Sequence, residues 1–135
     1  MLGNYGNNFY LHVDSSNPVK MFINDFDGNG IPEKIITKST DQKDKPVFLK
    51  RELQEQIPSL KKQNLKHADF ASKTIQELFA ADVLEKCVLK QVNYSSSCIA
   101  WNDGKGKFSV QPLPLLAQLS SINAISARDI DNDGK

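Results

Sequence analysis

A chain of 135 residues with 39% hydrophobic content, a formal net charge of +1 and a mean hydropathy of −0.43 is expected to be a soluble globular piece that buries one core. No apolar run approaches the roughly 18 residues of a membrane span, and Met1-Leu2-Gly3-Asn4-Tyr5 lacks a charged-then-apolar signal segment. Lys43, Lys45, Lys50, Lys61, Lys62 and Lys66 are interleaved with Asp and Glu, which argues against nucleic acid and reads as a solvated helix surface.

In chain order, Phe9-Tyr10-Leu11-His12-Val13 is the first strand-like run. Val19-Lys20-Met21-Phe22-Ile23 and Lys34-Ile35-Ile36-Thr37 follow, both rich in β-branched and apolar residues and both predicted as strands. Between them lies Asn24-Asp25-Phe26-Asp27-Gly28-Asn29-Gly30-Ile31-Pro32-Glu33, which alternates oxygen ligands with turn residues. Ca²⁺ takes six to eight oxygens at roughly 2.3–2.6 Å, and a curling loop reaches that number by offering one at every second position. Asp25, Asp27 and Asn29 fill positions 1, 3 and 5, Gly30 takes the sharp turn at 6, the carbonyl of Ile31 stands at 7 and Glu33 at 9. An EF-hand or dockerin loop starts with the same spacing, but each needs a carboxylate at position 12, where this chain has Ile36. The expected arrangement is therefore a strand-to-strand hairpin with carboxylates at its tip.

From Asp44 to about Leu89 the period changes. Phe48, Leu49, Leu53, Ile57 and Leu60 recur at helical spacing, and Phe70, Ile75, Leu78, Phe79, Val83 and Leu84 continue the pattern. Pro46 suits the start of this helical insertion, Pro58 marks a break or a new start, and Lys73-Thr74 with Glu77 resembles a capping arrangement. The apolar stripes are core, against a sheet edge or each other, unless the insertion is a partner-binding cap.

Val92 to Trp101 reads as a strand, Asn102-Asp103-Gly104-Lys105-Gly106 as a turn and Lys107-Phe108-Ser109-Val110-Gln111 as the returning strand, Asp-Gly being a strong hairpin signal. A further strand is expected at Ile122-Asn123-Ala124-Ile125-Ser126. The chain then ends within Asp129-Ile130-Asp131-Asn132-Asp133-Gly134-Lys135, a second copy of the spacing that stops before the last ligand would arrive. Because a domain rarely stops halfway through a metal loop, the chain reads as a fragment of a longer protein.

A strand carrying DxDxNGxxE, a later N-D-G-K-G-x-F hairpin and a second DxDxDG resemble the FG-GAP or VCBS-type repeats of integrin-α-like β-propellers. The variant most similar is that of large secreted bacterial proteins of the ASPIC/UnbV-associated kind, over Leu2 to about Thr37 and Leu89 to Lys135. The resemblance implies Ca²⁺ held by Asp25, Asp27, Asn29, the Ile31 carbonyl and Glu33, and by Asp129, Asp131 and Asp133 in the partial copy; glutamate at position 9, where aspartate is commoner, is a departure. It also implies a mainly β fold with a helical insertion, α+β in the fragment: antiparallel propeller blades with Ca-loop hairpins. On this reading residues 1–43 are the end of one blade with the first loop, 44–89 the insertion, and 90–135 the second hairpin with the start of the next blade. The two loops start 104 residues apart, well beyond propeller repeats of about 40–50 residues, and the insertion accounts for the excess.

Catalytic candidates are lacking. His12 and His67 are isolated, Ser95-Ser96-Ser97 has no nucleophile motif around it, and no His/Cys spacing suggests zinc. Loops of this calcium type are useful where Ca²⁺ is near millimolar, so the parent is expected to be extracellular or periplasmic. There Cys87 and Cys98 could pair, or stand as two buried thiols, and Asn93-Tyr94-Ser95 fits a glycosylation acceptor. Two function classes follow: a non-catalytic, calcium-stabilised recognition scaffold for a glycan or protein, or a segment of an exported polysaccharide lyase or hydrolase whose active site lies in other blades. Cut from its ring, such a blade either self-associates or folds its terminal strands back into a compact α+β unit.

Overall fold

Two runs of β-branched and apolar residues pair across the Asp/Asn/Gly loop, as their composition favours. In the computed structural model, which describes residues 1–41, 43–63 and 66–132, β1 (Val19–Asn24) and β2 (Glu33–Thr40) form an antiparallel hairpin from Asn24 opposite Glu33 to Val19 opposite Lys38. After a turn in which Asp41 takes a left-handed φ of 51°, β3 (Lys43–Pro46) pairs with β2. β4 (Val88–Val92) returns after the helices to pair antiparallel with β1, so the sheet order is β3-β2-β1-β4.

Strand alternation gives the sheet two unlike faces. One carries Phe22, Ile35 and Thr37, all buried, and the short helices lie over it: α1 (Lys50–Gln56), a 3₁₀ helix (Pro58–Gln63), α2 (His67–Ser72), α3 (Ile75–Leu78) and α4 (Ala81–Glu85). Helices this short are marginal alone, so burial stabilises them: Leu53, Ile57 and Ile75 are fully enclosed with Phe22 and Ile35. Capping helps. The Glu52 carboxylate accepts the Leu49 N–H at 2.8 Å, and Glu77 accepts both the N–H and the hydroxyl of Thr74, at 2.6 and 2.9 Å. On the same face Lys20 reaches across β2 to Asp44, at 2.8 Å.

The other face is crossed by rows read directly from the register. Lys45, Lys38, Val19 and Val92 form one row; Ile36, Met21 and Lys90 the next; Lys34, Ile23 and Val88 the third; and Lys43 lies opposite Thr40.

The chain divides into two units, Val13–Tyr94, just described, and Met1–His12 with Ser95–Lys135. In the second, β5 (Cys98–Asn102) and β6 (Phe108–Pro112) make a two-stranded ladder, and Leu2 bridges to Cys98. A buried polar clamp holds it: Gln118 accepts the Ser97 N–H at 2.8 Å and donates to the carbonyls of Ser97 and Leu113, at 2.8 and 3.0 Å. Gly6, at φ 78°, passes so close that a Cβ would lie 2.3 Å from the Gln118 carbonyl oxygen.

Among the described residues the fold is thus mixed α/β, with antiparallel sheets of four and two strands and no closed barrel. Several expectations need correcting. The strand expected over Val92–Trp101 is two strand ends in different sheets, because residues 93–97 put their polar groups to other uses, Ser96 donating to the Asn7 side chain at 2.9 Å and Ser97 entering the clamp. Phe9–Val13 is not a strand: Tyr5, Phe9 and Tyr10 gather into a local ring cluster with centroids 5.1 and 4.5 Å apart. Ile122–Ser126 is irregular as well, with Ile122 N–H bonded to the Asn4 carbonyl. The helical stretch is shorter than expected, since Lys43–Pro46 and Val88–Val92 are strands, and Lys43 and Lys45 accordingly sit on the sheet. Cys87 and Cys98 are both thiols, and burial pushes the Cys87 pKa up.

Candidate metal centre

The expected hairpin is present, its tip formed by residues 25–32 between β1 and β2. Two anchors fix it to the core. Asn24 donates to the Val83 carbonyl at 2.9 Å, and the Phe26 ring, 8% exposed, tilts against Phe79 with centroids 4.6 Å apart. Phe26 is therefore a core residue set between two ligand positions.

The loop is shaped by its own side chains. Asp25 accepts N–H bonds from Gly28 and Gly30, both at 2.7 Å, and from Asn29 at 3.0 Å. Gly28 and Gly30 sit at φ 77° and 88°, conformations that a Cβ resists, which is why the sequence spends two glycines here. Asp27 accepts the Asn29 N–H at 3.2 Å, Asn29 Oδ1 accepts the Ile31 N–H at 2.7 Å, and Ile31 leaves its side chain in solvent. The Gly30 N–H, foremost among these donors, holds the Asp25 carboxyl below its ordinary pKa, and burial only partly opposes it. Glu33, the first residue of β2, is buried and accepts the Phe26 N–H at 2.9 Å.

Asp25, Asp27 and Glu33 each offer a carboxylate oxygen within 4.8 Å of the others. Two oxygens bound to one Ca²⁺ at roughly 2.3–2.6 Å are at most about 5 Å apart, so each pair of this set falls within the span that one such ion could bridge. Among the described residues no lysine or arginine is ion-paired with any of the three, and a divalent cation would supply the missing positive charge. The donors are all oxygen, which suits a hard cation rather than zinc or copper. Asn29 keeps a second lone pair on Oδ1, and the Ile31 carbonyl belongs to the same loop.

The other acidic turns differ. Asp103 accepts N–H bonds from Lys105 and Lys107 at 2.8 and 3.1 Å, and Asn102 accepts one from Gly104 at 3.0 Å, but among the described residues no group of three acidic, His or Cys side chains forms at this turn. Asp129 and Asp131 lie in the irregular stretch after residue 120, where the described residues bring no third acidic, His or Cys group to them, and Asp133 lies outside the described residues. Motif spacing could not reveal the anchoring role of Phe26, although an aromatic between two ligand positions is a signal for it. Compared with family models, curated proteins and solved structures, the chain matches none.

Proposed function

We propose that this chain is a non-catalytic, calcium-stabilised segment of a larger exported protein, of the β-propeller type, that serves as a scaffold for recognising a glycan or protein. The observation carrying the reading is the convergence of Asp25, Asp27 and Glu33 within 4.8 Å on a hairpin tip anchored to the core. The four-stranded antiparallel sheet has the strand count of a propeller blade, with helices in place of a neighbouring blade over one of its faces. Bound Ca²⁺ would cross-link the start of the loop, through Asp25 and Asp27, to the start of β2, through Glu33. The metal thereby resists fraying of the β1–β2 hairpin and holds the loop in one shape, which a recognition surface requires.

Thermal unfolding tests this. With Ca²⁺ at about ten times a Kd near 10⁻⁴ M, mass action adds about 1.4 kcal/mol and raises Tm by about 5 °C. Mg²⁺, which demands a tighter octahedron, gives less. Superimposable curves with Ca²⁺ and with a chelator would remove the basis of the proposal.

A further inference from the structure

The sheet face turned away from the helices has an unusual charge census. The register places Lys34, Lys38, Lys43, Lys45 and Lys90 on it, and no Asp or Glu of the four strands. Both strand carboxylates, Glu33 and Asp44, fall on the helix-covered face. Lys45 stands directly opposite Lys38, a like-charge cross-strand pair that destabilises the bare sheet. The aliphatic side chains of Val19, Met21, Ile23 and Ile36 run through the middle, half-buried, and Val88 and Val92 at the edge are 54% and 53% exposed.

We propose that this face docks a protein partner bearing an apolar patch flanked by carboxylates. Charge complementarity selects the occupant: the ammonium groups of Lys34, Lys38, Lys45 and Lys90, with no strand carboxylate on their face, attract an acidic surface and reject a basic one, while Lys43, at the β3 edge, lies within electrostatic reach of Glu77. The aliphatic middle selects a polypeptide over other polyanions. Single-stranded nucleic acid is typically engaged by stacking on aromatic or Arg side chains, and the strands place neither on this face. The assignment is independent of the metal centre.

The test uses the whole chain and a labelled amphipathic helical peptide, with Leu on one face and Glu elsewhere, followed by fluorescence anisotropy. Expected are saturable binding, at least a tenfold loss between about 50 and 300 mM salt, and at least a tenfold loss in Lys38→Glu and Lys90→Glu. Lys61→Glu with Lys62→Glu, on the 3₁₀ helix, serves as the control and should bind as the unaltered chain does. Lys38→Glu should also raise Tm, because it turns the Lys45 repulsion into an attraction, so lost binding cannot be ascribed to unfolding. The proposal is overturned if the peptide does not bind, if the control loses as much as the face variants, or if the Lys-for-Glu version of the peptide binds equally well. It is overturned equally if only heparin, DNA or vesicles with about 30% phosphatidylserine bind, or if light scattering shows that the face pairs with a second copy.

Discussion

Replacing Phe26 by alanine separates the core from the loop it anchors. The ring is 8% exposed and meets Phe79 at 4.6 Å, so truncation removes nearly a whole aromatic burial together with a ring pair. Buried Phe→Ala changes cost about 3–5 kcal/mol, and the rim position of Phe26 sets the expectation near 3, of which the ring pair is roughly 0.5–1.5. Against a total stability of about 7–20 kcal/mol for a chain of this size, that is a large fraction. In urea, with a slope near 2 kcal/mol/M, the midpoint should fall by about 1.5 M at unchanged slope. Phe26→Leu, which keeps most of the volume, should cost about 1 kcal/mol, and Ile31→Ala, at a side chain 66% exposed, within about 0.5. A Phe26→Ala midpoint within about 0.3 M of the unaltered chain would refute the claim that the loop is pinned through this ring.

Thr37 is fully enclosed and its Oγ1 has no hydrogen-bond partner among the described residues, so Thr37→Val should stabilise the protein by about 1 kcal/mol, and a destabilised variant in chemical denaturation would show that the hydroxyl is satisfied. Glu77, Asp14 and Asp25 are each held below their ordinary pKa, by the Thr74, Asn17 and Gly30 donors respectively. A carboxyl lower in the folded state than in the unfolded one stabilises above its unfolded value, and that contribution is lost as pH falls through the folded value. Melts taken through the acid range should therefore fall in Tm below the ordinary glutamate value of 4.5, less steeply in Glu77→Gln; a pH-independent Tm there would contradict the assignment.

The β1–β2 hairpin was legible because ligand spacing, glycine placement and β-branched flanks all favoured the same local structure, and the helices because Leu53, Ile57, Ile75 and Leu78 keep their period. Illegible were features decided by distant partners. Nothing local in Ser95-Ser96-Ser97 announces that Gln118, more than twenty residues on, occupies its backbone, and nothing in Val88–Val92 says that it returns to β1. Lysines scattered over the sequence from Lys34 to Lys90 look balanced by neighbouring acids until the register sorts them onto one face. In the site, spacing proposed Asp25, Asp27 and Glu33 as neighbours, but the burial of Glu33 depends on the helix layer, which spacing does not describe.

The central claim, that the hairpin tip holds calcium, is tested most directly by isothermal titration of Ca²⁺ into the chain and into its Asp25→Asn and Asp27→Asn variants. A calcium-holding tip should give a saturable heat with Kd of about 10⁻⁴–10⁻³ M that both substitutions abolish and Asp131→Asn leaves in place. No heat at millimolar Ca²⁺, or a heat that survives both substitutions, would contradict it.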